Sequence, residues 1–212
     1  AIIVNDGSSD NLAELSKKLI KKNYKFKIIN LKNNLGKAYA VEIGILNSIG
    51  KYIAIIDADL QYEPKDLIKM LNKIDEGFNM INGKRLNRKD DPITKFFSKI
   101  YNLLTNLIFN VKCKDLFSGI KVFNREIYQL MEFNGLVRFV IFFSKKFNFK
   151  IIEIDIDHNQ RFKGETKYNF FQRVLLTFKD IFGLIICIKL GKEGIYQLKQ
   201  LILVVYFFLY SF

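Results

Sequence analysis

The chain has 212 residues, half of them apolar, and a formal net charge of +13. That length suits one domain with a real hydrophobic core. The charge implies an anionic partner such as a nucleotide diphosphate, nucleic acid or a membrane surface, with general solubility as the alternative. The basic residues are dispersed, which argues against a nucleic-acid-binding tail. Two cysteines and one histidine argue against a disulfide framework or a zinc site and favour a reducing, cytosolic setting.

The first half of the chain alternates short apolar segments with segments of helical periodicity. The predicted strands span residues 1–4, 26–29 and 52–56. The predicted helices span residues 12–20 and 38–49, and a third begins at Pro64. The strand over 52–56 is apolar throughout, which suits the interior of a parallel sheet. This alternation predicts a doubly wound α/β domain with the first and third strands in one sheet.

The second half contains a long apolar helical stripe over residues 93–108, and its polar face carries Lys95, Ser98, Lys99, Asn102 and Asn106. We interpret it as a core helix, with a helix lying in the plane of a membrane as the alternative. Two further strands are predicted, over residues 120–123 and 150–156.

The last part of the chain is strongly apolar. Charges interrupt residues 178–190, and the segment 201–212 is shorter than the roughly 20 residues that a spanning helix needs. We predict a folded α/β domain over 1–177 and a membrane-proximal or membrane-anchoring helical tail over 178–212, which we expect to be truncated. A packed terminal helix is the alternative for residues 201–212. Because a predicted strand starts at residue 1, we also expect the natural N-terminus to precede it.

Two carboxylates follow the apolar strand 52–56 directly, at Asp57 and Asp59. In open α/β sheets, ligands gather at the carboxyl ends of the strands. Paired hard oxygen ligands suit Mg²⁺ or Mn²⁺ bridging a diphosphate, and Gln61 would add a neutral oxygen. The alternative is an ordinary turn in which the aspartates cap the helix that begins at Pro64.

Two other turns carry candidate ligand-binding residues. Asp6 follows the first strand, where an acidic side chain can accept hydrogen bonds from a nucleotide base or ribose; a plain Asp-Gly turn is the alternative. Lys37 follows Gly36 at the start of a helix, which would place a cation and backbone N–H groups near phosphate. The full P-loop pattern is absent.

In order and spacing, these segments resemble the motifs of family 2 glycosyltransferases with a GT-A fold. Three segments match I-V-[DN]-D-G-S-x-D, N-x-G-x-[AG] and D-A-D-L-Q-x-x-P, namely residues 3–10, 34–38 and 57–64. Three more match G-[SK]-R, D-x-x-[SC]-G-[FL]-[RK] and H-x-x-R-x-x-G-x-[ST]-K-Y, namely residues 83–85, 115–121 and 158–168. The last motif is similar to that of the polyprenyl-phosphate branch, related to dolichol-phosphate mannosyltransferase. The resemblance covers about residues 1–190.

The resemblance implies a GT-A-like, Rossmann-like mixed sheet flanked by helices, with an amphipathic, membrane-proximal C-terminal segment. It also implies a donor site for a GDP- or UDP-linked sugar. Asp6 would contact the base, and Asp57, Asp59 and Gln61 would hold Mg²⁺ or Mn²⁺, with Asp59 also counted among the catalytic residues. Lys37 and Arg85 would neutralise the donor phosphates.

For the acceptor, the resemblance implies a polyprenyl phosphate bound through Arg161, Lys167 and Ser118. Asp115 would act as a base or orient the acceptor, with a structural pairing to an arginine as the alternative. Because the acceptor oxygen is already anionic, catalysis would rest on positioning and on leaving-group stabilisation. His158 is equally well explained as a catalytic group or as a hydrogen-bonded strand end.

We therefore expect inverting transfer of a hexose to a lipid phosphate at the cytoplasmic face of the membrane, in cell-envelope glycan synthesis and without nucleic acid. Transfer to a saccharide or a lipid A-type acceptor is one alternative, and a non-catalytic basic module on a membrane or nucleic acid is another. Two departures from the family pattern stand out. The opening strand with its P-x-[YF]-N-E motif would precede residue 1, and Lys95 and Lys121 replace common arginines.

Overall fold

A computed structural model of the chain describes residues 1–8, 25–86, 92–131, 137–159 and 185. The chain divides into two compact units, Ala1–Asp90 with Lys99–Phe162, and Asp91–Ser98 with Lys163–Phe212. In the second unit, the description covers the first turns of a helix, from residue 92, and the helical residue 185. The helix predicted over 12–20 and the segment 201–212 lie outside the described residues.

The described strands form two hydrogen-bonded sheets. A parallel pair consists of β1 (Ile2–Asn5) and β2 (Lys27–Asn30). A mixed sheet in the order β3-β5-β4-β6 consists of β3 (Tyr52–Ile55), β4 (Met80–Leu86), β5 (Lys121–Asn124) and β6 (Ile151–Asp157). In this sheet β5 is antiparallel to both β3 and β4, whereas β4 and β6 are parallel.

Five α-helices are described along the chain. They are α1 (Lys37–Leu46), α2 (Pro64–Asp75), α3 (Pro92–Phe109), α4 (Arg125–Leu130) and α5 (Val140–Lys146), the last preceded by a 3₁₀ turn over Val137–Phe139. The helix predicted from Pro64 starts there, since a proline in the first turn lacks only an N–H that has no intrahelical partner anyway.

The predicted strands are present, but part of their predicted pairing is wrong. β1 and β3 belong to different hydrogen-bonded sheets. β3 pairs antiparallel with β5, and among the described residues it has no other partner, so it does not lie inside a parallel sheet. Its Ile53 is buried whereas Ala54 is exposed. A short apolar run is compatible with either setting, because periodicity alone does not specify the partner of a strand.

Strand β4, in the interior of the mixed sheet, was not predicted from the sequence. Asn82 and Gly83 interrupt its apolar pattern, yet both are buried. Gly83 is required by close packing, since a Cβ there would overlap Ile120 Cγ2 and lie 3.0 Å from Ile156 Cγ1. The short helices α4 and α5 were missed as well, because few residues carry their periodicity.

The core that supports the mixed sheet is contributed by α2 and three of the strands. Its members are buried and apolar, and they include Met70, Ile81, Val122 and Ile156. A second set of buried aromatics, Phe139, Phe142 and Phe143, lies in and beside α5. This packing fixes the strand ends from which the polar side chains of the candidate site emerge.

The prediction that residues 93–108 form a core helix is wrong for the described side chains of α3. Leu103 and Leu107 are 68% and 80% exposed, whereas Asn102 and Thr105 are buried. The polar face is turned inward because Asn102 hydrogen-bonds the backbone that follows the helix, at Lys114. Within the described part of the chain, no helix has the length and apolarity needed to cross a membrane.

Candidate active site

Asp57 lies in the turn after β3, between the start of α1 and the turn before β5. Its Oδ2 accepts a hydrogen bond from Lys37 Nζ at 2.6 Å, in an ion pair whose side chains are 27% and 60% exposed respectively. Gly119 packs against the same oxygen so closely that a Cβ at this position would overlap it. Glycine therefore brings the turn before β5 into contact with the Asp57 carboxylate.

The remainder of the acidic turn is tied to the end of β6. Asp59 Oδ1 accepts the Gln61 backbone N–H at 3.2 Å. Between them, Leu60 has a φ of 62°, a left-handed conformation that is uncommon for leucine. Gln61 exchanges hydrogen bonds with the backbone of Asn159, through its C=O at 3.0 Å and its Nε2 at 3.4 Å. The turn is thus anchored to Asn159, two residues after the end of β6.

The residues of this turn fit a divalent cation. Two carboxylates and a side-chain amide oxygen, from Asp57, Asp59 and Gln61, are the hard oxygen ligands that Mg²⁺ and Mn²⁺ prefer. Asp57 already takes a cationic partner in Lys37. Among the described residues, no group of three or more His, Cys, Asp or Glu side chains is arranged to hold a metal ion. A site with two carboxylates matches magnesium centres that take their remaining ligands from substrate phosphates and water.

Arg85 on β4 and Asp115 in the segment before β5 form a largely buried ion pair. Arg85, at the end of β4, donates from Nε to Asp115 Oδ2 at 2.7 Å and from Nη2 to Oδ1 at 2.8 Å. Its backbone N–H donates to the same carboxylate at 3.2 Å. The side chains are 15% and 5% exposed. This two-point geometry fixes the plane of the carboxylate as well as its position. Asp115 thus has an arginine partner, as the structural alternative for this residue predicts.

Tyr62 connects the acidic turn to the turn before β5. Its buried hydroxyl accepts the Gly119 backbone N–H at 2.9 Å and lies 3.4 Å from Ser118 Oγ. Its ring packs edge-on to the imidazole of His158, with 5.3 Å between the ring centroids. Burial raises the pKa of Tyr62, and the hydrogen bond to Ser118 opposes that shift. The tyrosine hydroxyl therefore holds the peptide of Gly119, the residue that packs on Asp57.

Lys121 is a buried cation that interacts electrostatically with Asp115 and Asp57. Its Nζ donates to the Ser118 carbonyl at 2.6 Å. Burial lowers its pKa to about 8, while the Asp115 carboxylate, and more weakly Asp57, favour the charged form. Lysine supplies a single charged point at this position, where an arginine would supply a planar fork.

Asp6 ties β1 to the loop before α1. Its Oδ1 accepts the Leu35 backbone N–H at 2.7 Å, and its Oδ2 accepts that of Gly36 at 2.9 Å. Both oxygens thus hold the backbone that presents Lys37. Contact between Asp6 and a nucleotide base stays a prediction. Arg161 and Lys167, predicted to bind phosphates, lie outside the described residues.

The family model described as glycosyl transferase family 2 matches residues 1–131. The chain belongs to this family. The prediction that it carries a glycosyltransferase domain is therefore confirmed.

Relatives of this family 2 chain include undecaprenyl-phosphate 4-deoxy-4-formamido-L-arabinose transferases. The enzyme of Proteus mirabilis is 28% identical over 180 residues, and that of Salmonella paratyphi B is 31% identical over 179 residues. Each match covers 84% of this chain and 55% of the relative, so the chain spans about half the length of these relatives. The predicted resemblance to the polyprenyl-phosphate branch is confirmed.

Solved structures show that the family 2 chain has the predicted GT-A-type fold. Glucosyl-3-phosphoglycerate synthase from Mycobacterium tuberculosis, crystallised with Mn²⁺, UDP-glucose and glycerol 3-phosphate, matches with a TM-score of 0.60 and 16% identity. That match covers 85% of this chain and 65% of the synthase. The complex of the same enzyme with Mn²⁺, UDP and glucosyl-3-phosphoglycerate gives a TM-score of 0.61 at 15% identity.

Several residues of the candidate site were not singled out from the sequence. Tyr62 and Gly119 lie inside the quoted segments 57–64 and 115–121, so the motifs contained them without indicating that they touch. The proximity of Asp57 to Gly119 could not be predicted from the sequence either, because it depends on the pairing of β3 with β5.

Proposed function

We propose that this protein transfers a sugar from a nucleotide diphosphate sugar to a polyprenyl phosphate, inverting the anomeric carbon. The observation that carries the proposal is the Lys37–Asp57 pair at the carboxyl end of β3. Lys37 is exposed and can bind a phosphate, whereas the partly exposed carboxylate of Asp57 can bind a cation. A nucleotide diphosphate with its cation requires both kinds of partner.

The residues around this pair support a divalent cation as cofactor. Asp57, Asp59 and Gln61 would hold Mg²⁺ or Mn²⁺, and that ion would neutralise the leaving diphosphate when bound. Lys37 and the backbone N–H groups at the start of α1 would bind donor phosphate oxygens. Gly119 keeps the Asp57 carboxylate accessible, because any side chain there would occupy the space beside it.

On the acceptor side we propose that Asp115 helps to orient the acceptor and does not abstract a proton from it. A phosphate oxygen is already anionic, so little deprotonation is required. The Arg85 fork holds the Asp115 carboxylate in one orientation. Ser118, Arg161 and Lys167 are proposed to bind the acceptor phosphate. The names of the relatives include both undecaprenyl phosphate and an arabinose-derived sugar. The transferred sugar is therefore a hexose or a five-carbon sugar in this proposal.

We place the reaction at the cytoplasmic face of a membrane. The outward face of α3 is apolar, with Leu103, Leu107 and Ile108 exposed, and Lys99 on the same helix is also exposed. An amphipathic helix of this kind binds in the interface of a bilayer, and a net charge of +13 favours anionic lipid. A lipid acceptor would be delivered from that surface.

The donor site is tested by thermal unfolding of the full-length protein with a panel of UDP- and GDP-linked sugars, each with and without Mn²⁺. A ligand that binds the folded state at 100 times its dissociation constant adds about 2.7 kcal/mol of stability. We expect one donor to raise the melting temperature only with metal, and Asp59→Ala to abolish that shift. Equal results with and without metal for every donor would refute the metal-diphosphate site.

The acceptor is tested by transfer of radiolabelled sugar from that donor to undecaprenyl phosphate. We expect a product, and we expect Arg161→Ala to remove it. Transfer only to saccharide or lipid A-type acceptors, with Arg161→Ala nearly as active as wild type, would favour the alternative transferase. Salt-sensitive binding to membranes or nucleic acid, with no metal dependence and no product, would favour a non-catalytic module.

The membrane surface is tested with vesicles of phosphatidylglycerol and phosphatidylcholine. Leu107→Glu should weaken sedimentation with the vesicles about tenfold, because it places a charge in the apolar face. Leu46→Glu is the matched control, since Leu46 is an exposed leucine at the end of α1. Equal loss in both variants would contradict the assignment of the membrane face to α3.

A further inference from the structure

The segment that carries Asp115 lies between α3 and β5 and forms neither helix nor strand. Its peptide groups, from Cys113 to Leu116, therefore lack the regular partners that secondary structure supplies. Buried backbone groups without partners are costly, so each must be satisfied in some other way. Here the partners are side chains from three different elements.

Helix α3 holds both flanks of the segment. Asn106 exchanges hydrogen bonds with the Cys113 peptide, through its amide to the C=O and through its Oδ1 from the N–H. Asn102 donates to the Lys114 C=O at 2.8 Å and accepts the Leu116 N–H at 3.4 Å. These two asparagines, one turn apart, account for the inward polar face of the helix.

The centre of the segment is held from β6 and β4. Glu153 accepts the Lys114 N–H at 2.8 Å and the Asp115 N–H at 2.9 Å, one on each carboxylate oxygen. Asn82 donates to the Asp115 C=O at 2.8 Å and to Glu153 at 3.0 Å. Both partners of the Asn82 side chain are acceptors, so its amide must present the NH₂ group to them. The flipped amide would place its own oxygen against the oxygens of Asp115 and Glu153.

We propose that Glu153, assisted by Asn82 and Asn102, is the positioning residue of Asp115. Arg85 fixes the carboxylate of Asp115, and Glu153 with Asn82 fixes its peptide, so the residue is held at both ends. Three residues further along the chain, Ser118 Oγ lies 3.4 Å from the Tyr62 hydroxyl, and the next residue, Gly119, packs on Asp57. Holding the peptide of Asp115 therefore sets the spacing between Asp57 and Asp115.

The expected change in kcat rests on the proposed function. The expected change in amide exchange does not depend on that function. Glu153→Gln keeps one acceptor oxygen and turns an amide N–H₂ toward an N–H donor. The matched control is Asp155→Asn, which removes a carboxylate two residues along β6 that pairs with Lys84. We expect amide exchange at Lys114 to accelerate about 10- to 100-fold in Glu153→Gln, and to stay at the wild-type rate in the control.

The kinetic measurement separates positioning from general stability. We expect Glu153→Gln to lower kcat at least tenfold while the donor KM changes less than about threefold. In an Asp115→Asn background the same substitution should have no further effect on kcat, because both changes act through one residue. Additive losses in the double variant, or unchanged exchange at Lys114, would overturn the proposal.

Absence of transferase activity and misfolding of the Glu153→Gln variant are both covered by separate measurements. If wild type transfers no sugar to polyprenyl phosphate, the proposed function fails, and exchange at Lys114 and Asp115 alone decides whether Glu153 holds this segment. If Glu153→Gln does not fold, Asn102→Ala takes its place, with faster exchange at Leu116 and lower kcat expected. Wild-type exchange and kcat in Asn102→Ala would then overturn the proposal.

Discussion

The carboxylates of Asp57 and Asp115 are held in opposite ways. Asp57 meets one lysine, and both side chains are partly exposed. Asp115 is buried in a two-point arginine pair, and its peptide is hydrogen-bonded on both sides. An exposed pair is weak and can exchange partners, whereas a buried pair is costly to break. The first arrangement suits a site where a cation and a diphosphate enter and leave, and the second suits a fixed reference point.

The largest effect expected from this comparison is on stability, when Arg85 is replaced. Arg85→Met leaves the Asp115 carboxylate buried without its guanidinium partner, and we expect a loss of about 3–5 kcal/mol in the free energy of unfolding. Urea denaturation of wild type and variant measures this. A loss below about 1 kcal/mol would show that the pair is no more strongly coupled than a surface ion pair.

The buried cation Lys121 should give a pH-dependent stability. The pKa of Lys121 is about 8 in the folded protein, against an ordinary value of 10.5. Between these values the unfolded chain binds more protons, so rising pH stabilises wild type relative to Lys121→Met, by up to about 3 kcal/mol in total. Below pH 8 the difference between the two proteins should be constant. Urea denaturation at pH 7, 8, 9 and 10 measures it, and a constant difference throughout would contradict a buried charge.

Closing the space beside Asp57 should have a smaller effect on stability and a clear effect on binding. In Gly119→Ala the new Cβ overlaps Asp57 Oδ2 and lies 3.0 Å from the Tyr62 ring. We expect a loss of about 1–3 kcal/mol, from overpacking, and loss of the metal-dependent donor shift. Thermal unfolding with donor and Mn²⁺ checks both.

Gly44→Ala is the control for that substitution. Its Cβ would meet Val4 Cγ2 at 3.4 Å, an ordinary contact, and alanine favours the helix α1 by about 0.5–1 kcal/mol. The donor shift should survive in this variant. Its loss in both alanine variants would mean that donor binding is sensitive to packing in general and not to the space at Gly119.

The smallest stability effect is expected at the exposed pair. Lys37→Met should change the free energy of unfolding by less than about 1 kcal/mol, because both partners are partly solvated. The donor KM should nevertheless rise about tenfold if Lys37 contacts phosphate. Steady-state kinetics and urea denaturation of the same sample test the pair of expectations. A large stability loss with an unchanged KM would reverse the contrast between Asp57 and Asp115.

Much of the site was predictable from the sequence because its residues sit in local motifs. Asp57 and Asp59 follow an apolar run, and Pro64 marks the next helix, so the position of the acidic turn at a strand end follows from short-range pattern. The contact between Tyr62 and Gly119 was not predictable, since the two residues are 57 positions apart in the chain and only strand pairing brings them together.

The sequence by itself determined the α/β alternation, the acidic turn after β3 and the helix at Pro64. These depend on side-chain periodicity and on the backbone preferences of proline and aspartate, which act over a few residues. Tertiary structure alone decided three other features. Arg85 meets Asp115 because β4 and the segment before β5 are neighbours, Glu153 supports that segment from β6, and α3 turns its asparagines inward. Backbone groups outside helices and strands must find partners, and the inward asparagines of α3 supply them for the segment before β5.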